Sequence, residues 1–400
     1  MRWNQKPLSR KTLAALTVLI LAAFFLQRAF HNLSHVDFRN SNFVFFWLAG
    51  RMLLSGQNPY NPAAWIANHD SFGITWRPNE IFPYPLPLAL FVAPLGLLTL
   101  RQAYLAWQIV SQVILAIVAW SLLNKQPAAE YRRLFLPLVV FLMYFGPAYL
   151  TLQIGAMGAF TMIAILGAIV SWEKGHAFAA GVLLSLTLLK PPQGVPILLL
   201  ATVWLIARRD WRAIGGLAAG ALVLLLSGML IDPSWIIKSA GAGKAIMERT
   251  LGLQSNAFGF AYLACRQDQT CMWILGGAAS MLILGAGGAW LWRNHNILGP
   301  WEALNLILPL GFVSTIYLWS YDQVLFTIPI IWLAMRLVKS TKSYVLAFVF
   351  LIVLSVGSLV ALLVQANTHR DLLSILTTLL VLIAYWRFGF GAGERVLPLT

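Results

Sequence analysis

The sequence predicts an all-α protein that crosses a membrane many times. Of its 400 residues, 60% are hydrophobic and only 10% are charged. Apolar runs long enough to span the hydrocarbon core recur along the whole chain, and a soluble globule could not bury them all. We therefore predict a single integral membrane domain over residues 1–400.

The chain begins with a basic segment, followed by an apolar run from about Leu13 to Phe30. A secretory signal would have a shorter apolar core and a cleavage site of small residues. This run approaches spanning length, so we predict an uncleaved anchor whose N-terminus faces the cytoplasm.

The net charge of +15 does not indicate nucleic-acid binding, because the basic residues form short clusters between apolar segments. That distribution is typical of cytoplasmic loops. The clusters are Arg2–Lys11, Lys125–Arg133, Lys174, Arg208–Arg212, Arg293, Arg336–Lys342 and Arg387–Arg395.

About twelve crossings place all these clusters on one side, with both termini in the cytoplasm. They lie near 12–30, 102–123, 134–150, 156–172, 176–190, 194–207, 213–231, 272–292, 302–319, 323–338, 344–364 and 372–390.

The segment from Leu86 to Leu100 is not counted as a crossing. It contains several prolines, and a full span here would move "EYRR" and "ARRDWR" to the outside. A short or re-entrant helix keeps the charge rule, provided that other helices bury it.

Two long external loops remain, at about 31–85 and 232–271. In the first, Ser41 or Asn42 can cap a helix whose aromatic residues recur at helical spacing, which favours a helix in the membrane interface. The second holds Cys265 and Cys271, the only cysteines. They are either a disulfide, which an oxidising compartment permits, or two thiols.

Glycine-rich stretches inside the predicted spans favour close contacts between helices over phosphate binding. These are "GGLAAG" (215–220) and "GAGG" (285–288). The sequence contains no Walker loop, dinucleotide fingerprint, GxSxG or HExxH motif, so it predicts no nucleotide cofactor.

Asp37 is the first candidate for chemistry, because it follows the first span and precedes an aromatic-rich loop. It is either an ordinary loop carboxylate at the water boundary or a general base.

Three further polar residues fall on the same predicted face. Lys190, in "LLKPPQG", either snorkels to the surface or holds a lipid phosphate. Gln153 either caps a hairpin or binds a hydroxyl. Asp322 interrupts an apolar hairpin and is either a helix cap or a functional acid.

The ordered motifs resemble a known family. They are Asp37 with "FVFFWLAGRMLLSGQNPYNP", then "FPYPLPLALFVAPLGLL", "TLQIGAMGAFTMI", "AAGVLLSLTLLKPPQGVPILLL", "ARRDWR" and "SYDQVL". This succession, from about residue 12 to 340, resembles the bacterial GT-C-fold membrane glycosyltransferases of family 87, which include polyprenyl-phosphate-mannose-dependent mannosyltransferases.

The resemblance implies transfer of a sugar, such as the hexose mannose, from a polyprenyl-phosphate donor to a glycan or glycolipid acceptor. It also implies a GT-C-like bundle in a bacterial inner membrane, with the active site on the extracytoplasmic face. The family's catalytic carboxylate maps onto Asp37, its Lys-Pro motif onto Lys190 and its polar turn onto Gln153. No Asp-x-Asp pair stands near Asp37, so no metal is expected.

In this interpretation, Asp37 removes the acceptor's hydroxyl proton and Lys190 holds the leaving phosphate, with Arg51 and Arg77 as further cations. The residues expected around the sugar or acceptor are Asp322, Gln153, Tyr84, Glu80 and Tyr321. Glu80 is also the reserve candidate for the base, with Asp70 a weaker one.

Two other classes stay open. A transporter or lipid flippase would also have about twelve helices, but would place acids deep in the bundle and show inverted repeats. A noncatalytic assembly protein would tolerate replacement of Asp37.

Overall fold

The computed structural model describes residues 10–74, 81–124 and 134–389, and within these ranges every regular element is helical. The first half of the chain forms α1 (Arg10–His35), α2 (Asn42–Leu54), α3 (Pro62–Ser71), α4 (Leu86–Val92), α5 (Leu100–Asn124), α6 (Phe135–Tyr144), α7 (Gly146–Gln153), α8 (Gly158–Glu173) and α9 (Ala177–Ser185). The second half forms α10 (Pro191–Ala207), α11 (Trp211–Met229), α12 (Trp235–Arg249), α13 (Ala257–Ala264), α14 (Gln269–Asn294), α15 (Pro300–Ser314), α16 (Thr327–Thr341), α17 (Tyr344–Thr368) and α18 (Ile375–Ala384). Short 3₁₀ turns lie at Phe38–Asn40, Ala93–Leu97, Leu186–Leu189, Ser320–Phe326 and Leu372–Ser374, and a π turn at Tyr385–Gly389.

By length and composition, six helical segments of the described chain can cross a membrane. They are Leu100–Leu123, Trp211–Met229, Gln269–Asn294, Ser320–Thr341, Tyr344–Thr368 and Leu372–Gly389. The pair α7 and α8, bent by 120°, would make a seventh. An all-helical membrane protein is therefore shown, and the expected twelve spans are not confirmed.

Breaks in the backbone explain much of the difference. The expected span at 134–150 is divided between α6 and α7, because Pro147 in the first turn of α7 has no N–H to continue the preceding helix. Lys190 separates a 3₁₀ turn from α10, which Pro191 and Pro192 begin. The resulting pieces are shorter than the ~20 residues that a span needs.

The proline-rich segment after Tyr84 is short, as expected. It forms α4 and the 3₁₀ turn to Leu97, which together fall below spanning length.

Helix α2 differs from the surface helix that the sequence suggests. Ser41 caps it, accepting a hydrogen bond from the Phe43 N–H at 3.2 Å. However, residues 43–50 are all buried, so α2 has no water-facing side over this stretch. A helix that is apolar all round packs inside a protein rather than along a surface.

The glycines of "GGLAAG" act in helix packing, as predicted. A Cβ at Gly216 would overlap the Phe178 carbonyl of α9, and Gly181 of α9 lies equally close to the Ala213 carbonyl. Two helices approach this closely only where side chains are absent.

Helix α10 joins two ends of the protein. At its start, which we call the Lys190 end, Lys190 contacts Asp322 and the Thr315 hydroxyl donates to the Pro192 carbonyl. At its finish, the Arg208 end, Arg208 Nη1 donates to the Leu298 carbonyl at 2.9 Å.

Other contacts assign further elements to the Arg208 end. Trp172 Nε1 donates to Asp210 Oδ2 at 2.9 Å, and Arg336 pairs with Glu302 at 2.9 Å. Several described members of the basic clusters lie in or next to these elements: Lys174, Arg208–Arg212, Arg293, Arg336–Lys342 and Arg387.

Candidate functional site

A groove of about 840 Å³ opens at the Lys190 end, between α10, α11, α12 and the segments before α4 and after α15. Its wall is mostly apolar and is formed by Pro83, Pro85, Pro87, Leu188, Leu189, Pro191, Pro192, Val195, Pro196, Ala221, Leu224, Leu225, Trp235, Ile236, Ile246, Met247, Trp273 and Ile316. The polar groups that reach it are Tyr84, Lys190, Ser239, Lys244, Ser314 and Tyr317. The groove therefore suits a long apolar ligand with a charged end.

Lys190 supplies a buried positive charge at this groove. It lies between the 3₁₀ turn and α10, is only 5% exposed, and its ammonium forms an ion pair with Asp322 Oδ1. The ammonium also lies 4.8 Å from the centre of the Tyr321 ring. Burial makes an unpaired charge costly, and each partner supplies the counter-charge of the other.

Asp322 is 1% exposed and uses both carboxylate oxygens. While Oδ1 accepts from Lys190, Oδ2 accepts from the Trp319 N–H at 3.2 Å. Asp322 does not line the groove, so its geometry is that of a residue that holds Lys190 in place.

Two tyrosines beside Lys190 stay protonated at neutral pH. Burial, with the nearby charge of Asp322, raises the pKa of Tyr317 to about 12. Burial also raises the pKa of Tyr84 well above its usual value, and Tyr317 and Asp322 add to the shift. Both phenols can therefore donate hydrogen bonds to an anion but cannot act as bases.

The start of α2 joins the Lys190 site through Tyr321. The side chain of Asn42 hydrogen-bonds Tyr321, whose carbonyl accepts from the Thr151 hydroxyl at 2.6 Å. Gln153 lies in the adjacent turn, where its carbonyl accepts from the Tyr104 hydroxyl at 2.6 Å.

Asp37 lies at the edge of this assembly. It is exposed, and its Oδ1 accepts from the Arg39 N–H at 3.0 Å, which caps the first 3₁₀ turn. The neighbouring Phe38 ring packs edge-on against Tyr104 at 5.5 Å. Asp37 does not line the groove. It lies five positions before Asn42, which contacts Tyr321.

The remaining expected cations and acids do not join the groove in the described chain. Arg51 donates to the Gly96 carbonyl at 3.2 Å, and its guanidinium lies 4.9 Å from the Phe72 ring centre. These contacts tie the end of α2 to the turn after α4. Arg77 and Glu80 lie outside the described residues.

A polar network that the sequence analysis missed fixes the α12 wall. The carboxylate of Asp232 accepts hydrogen bonds from Asn58 and Lys238, each at 2.7 Å, and from Ser234. Although burial opposes ionisation, these hydrogen bonds hold the pKa of Asp232 well below its usual range. The first loop is thereby attached to α12, and Tyr60 of that loop donates to the Tyr84 carbonyl.

Asp371 was also missed. It is 1% exposed and accepts from the Ser320 N–H, two residues before Asp322. Burial raises its pKa to about 7, with the charge of Asp322 adding to the shift and hydrogen bonds from Ser320 and Ser374 opposing it. Its only sequence signal was an acid between two apolar helices.

The structure joins Cys265 and Cys271 in a disulfide between α13 and α14, which decides the alternative left open above. Among the described residues, no three His, Cys, Asp or Glu side chains form a group suited to a metal ion.

Comparison with protein families gives one match, to glycosyltransferase family 87, over residues 82–313. The match covers more than half of the chain. The chain belongs to glycosyltransferase family 87. The matched region includes Tyr84, Gln153 and Lys190, and it ends before Tyr321 and begins after Asp37.

No curated protein and no solved structure matches the chain. Membership of the family makes the protein a membrane glycosyltransferase, and so favours this class over the transporter and assembly-protein alternatives.

Proposed function

We propose that this glycosyltransferase takes its sugar, a hexose such as mannose, from a polyprenyl phosphate and transfers it to an extracytoplasmic glycan or glycolipid. The observation that carries the proposal is the buried cation Lys190 at an apolar groove of about 840 Å³. A polyprenyl chain is apolar along its length and anionic at its sugar-bearing end, so its two parts match the two parts of this site.

The ion pair with Asp322 accounts for the lysine before the donor binds. A buried ammonium without a counter-charge would be strongly unfavourable, and Asp322 supplies that charge. The donor phosphate then provides a second anion for Lys190, while the neutral phenols of Tyr84 and Tyr317 can donate hydrogen bonds to it.

Asp37 is the proposed general base. Its carboxylate removes the proton of the acceptor hydroxyl as that oxygen bonds to the anomeric carbon of the sugar. The bond between this carbon and the phosphate oxygen breaks, and its electron pair leaves with the phosphate near Lys190. A single displacement inverts the anomeric centre. The substrate is a lipid-linked sugar, and the proposal invokes no metal.

The exposure of Asp37 supports this role, because the acceptor arrives from the water side. Its segment connects through Asn42 to Tyr321, which adjoins Lys190 and Asp322. The sugar would occupy the space between Asp37 and the Lys190–Asp322 pair.

The Lys190 end is proposed to face away from the cytoplasm of a bacterial inner membrane. Among the described residues, basic clusters gather at the Arg208 end, and such clusters are typical of the cytoplasmic side.

Single-turnover transfer from a panel of labelled polyprenyl-phosphate sugars to a membrane extract tests the proposal. We expect Lys190→Ala to weaken donor use more than Lys190→Arg, which keeps the charge but changes its geometry. Lys174→Ala is the matched control, because Lys174 is an exposed lysine at the Arg208 end. Unchanged donor affinity in folded Lys190→Ala would remove Lys190 from the site.

A further inference from the structure

A second recess, of about 720 Å³, lies at the Arg208 end between the finish of α10, the start of α11 and the finish of α14. It is lined chiefly by Arg208, Arg209, Trp211, Trp292, His295 and Asn296. The two sites share no lining residue, and Pro196 of the groove and Ile206 of the recess are roughly 15 Å apart along α10. The recess is therefore a distinct site.

The recess presents positive charge without a carboxylate in its lining. Asp210, which follows the two arginines, uses both oxygens elsewhere: Oδ2 accepts from Trp172, and Oδ1 accepts from the Ala213 N–H at 3.1 Å. Arg208 donates to the Leu298 carbonyl from one nitrogen, which leaves further N–H donors. The guanidinium fork fits phosphate oxygens in particular.

The surroundings of the recess are those of a membrane boundary. Trp211 and Trp292 are 64% and 51% exposed, and exposed tryptophan rings are typical of the headgroup level. Apolar side chains that stay exposed on this side can receive acyl chains: Ile206 at the finish of α10, Ile297 after α14, and Leu282 midway along α14. Phosphate-binding groups next to such a surface favour a lipid over a free phosphate ion.

We propose that this recess binds the phosphodiester headgroup of an anionic glycerophospholipid, with Arg208 and Arg209 on the phosphate. The lipid belongs to the leaflet at the Arg208 end and takes no part in sugar transfer. Basic pockets at the ends of membrane helices commonly bind such headgroups.

Arg209→Gly is the sharpest test, because it removes the charge without straining the backbone. Arg209 has a φ of 57°, in the left-handed region that glycine favours after a helix. Arg101→Gln is the matched control, because Arg101 is an exposed arginine at the start of α5, away from the recess. Native mass spectrometry of the detergent-solubilised protein would count bound phosphatidylglycerol against phosphatidylcholine.

We expect the wild type and Arg101→Gln to retain phosphatidylglycerol in preference to phosphatidylcholine. Arg209→Gly should weaken phosphatidylglycerol binding about fivefold, at about 1 kcal/mol for each basic group. Adding Arg208→Gln should weaken it further.

Equal retention of the two lipids by the wild type would overturn the proposal, as would unchanged retention in Arg209→Gly. Displacement of the lipid by soluble glycerol phosphate would also overturn it, since the site would then bind a free phosphate.

Discussion

Removing the charge of Asp322 should destabilise the protein strongly. Lys190 is 5% exposed and Asp322 1%, and the described structure gives the lysine no other carboxylate partner. Asp322→Asn keeps the side chain's size but leaves a buried ammonium without its counter-charge. Breaking a buried pair in this way costs about 3–5 kcal/mol of unfolding free energy.

The double variant Lys190→Met with Asp322→Asn removes both charges and should recover most of this loss, because the unpaired charge is then absent. Glu248→Gln is the control, since Glu248 pairs with Lys244 at 3.7 Å and 46% of its side chain is exposed. An exposed pair of this kind contributes less than about 1 kcal/mol.

Chemical denaturation in detergent micelles measures all the variants on one scale. If Asp322→Asn cost no more than Glu248→Gln, the buried pair would not have the energetic role argued above. If the double variant were as unstable as Asp322→Asn, the loss would come from something other than the unpaired charge.

Asp37→Asn should lower the single-turnover transfer rate by about 10²–10⁴-fold with donor binding unchanged. A near wild-type rate would mean that another residue is the base, with Glu80 the next candidate. Asp371 should make the free energy of unfolding fall as the pH rises from about 4 to about 7. Its folded pKa of about 7 lies above the ordinary value of 3.8, so over this range the folded protein holds a proton that the unfolded chain has released. Thermal unfolding across this range should show a decline of at most about 4 kcal/mol that Asp371→Asn removes; an equal slope in both proteins would contradict it. In a background lacking Cys265 and Cys271, a single cysteine at position 71 should be labelled by an impermeant reagent in intact cells, and one at position 340 should not. The reverse pattern would overturn the proposed orientation.

Local signals predicted local structure well. Ser41 caps α2 because a serine before an apolar helical run can accept from its first N–H groups. The glycines of "GGLAAG" predicted close contacts between helices, because small residues let two backbones approach, and the structure shows α9 as the partner of α11. Family membership followed from the order of several weak motifs.

What the sequence did not predict depends on long-range contacts. The pairing of Lys190 with Asp322 joins residues 132 positions apart, and the bond from Ser320 to Asp371 spans 51 positions. Hydropathy predicted about twelve spans, which the six segments of spanning length in the described chain do not confirm. It does not register where prolines divide an apolar stretch into short helices. It also made α2 appear to be a surface helix, since burial by α4 and α5 is a tertiary property.

The most direct test of the central claim is to fill the groove and measure donor use. Gly243 of α12 lines the groove and Gly241 does not, and a Cβ at either would meet no atom within 4 Å. Gly243→Phe should therefore occupy space meant for the lipid chain, whereas Gly241→Phe should not. Displacing two methylenes of that chain costs about 1.6 kcal/mol, which predicts roughly a fifteenfold rise in the KM for the polyprenyl-phosphate sugar. A KM in Gly243→Phe equal to that in Gly241→Phe would contradict the claim that the donor's lipid binds in this groove.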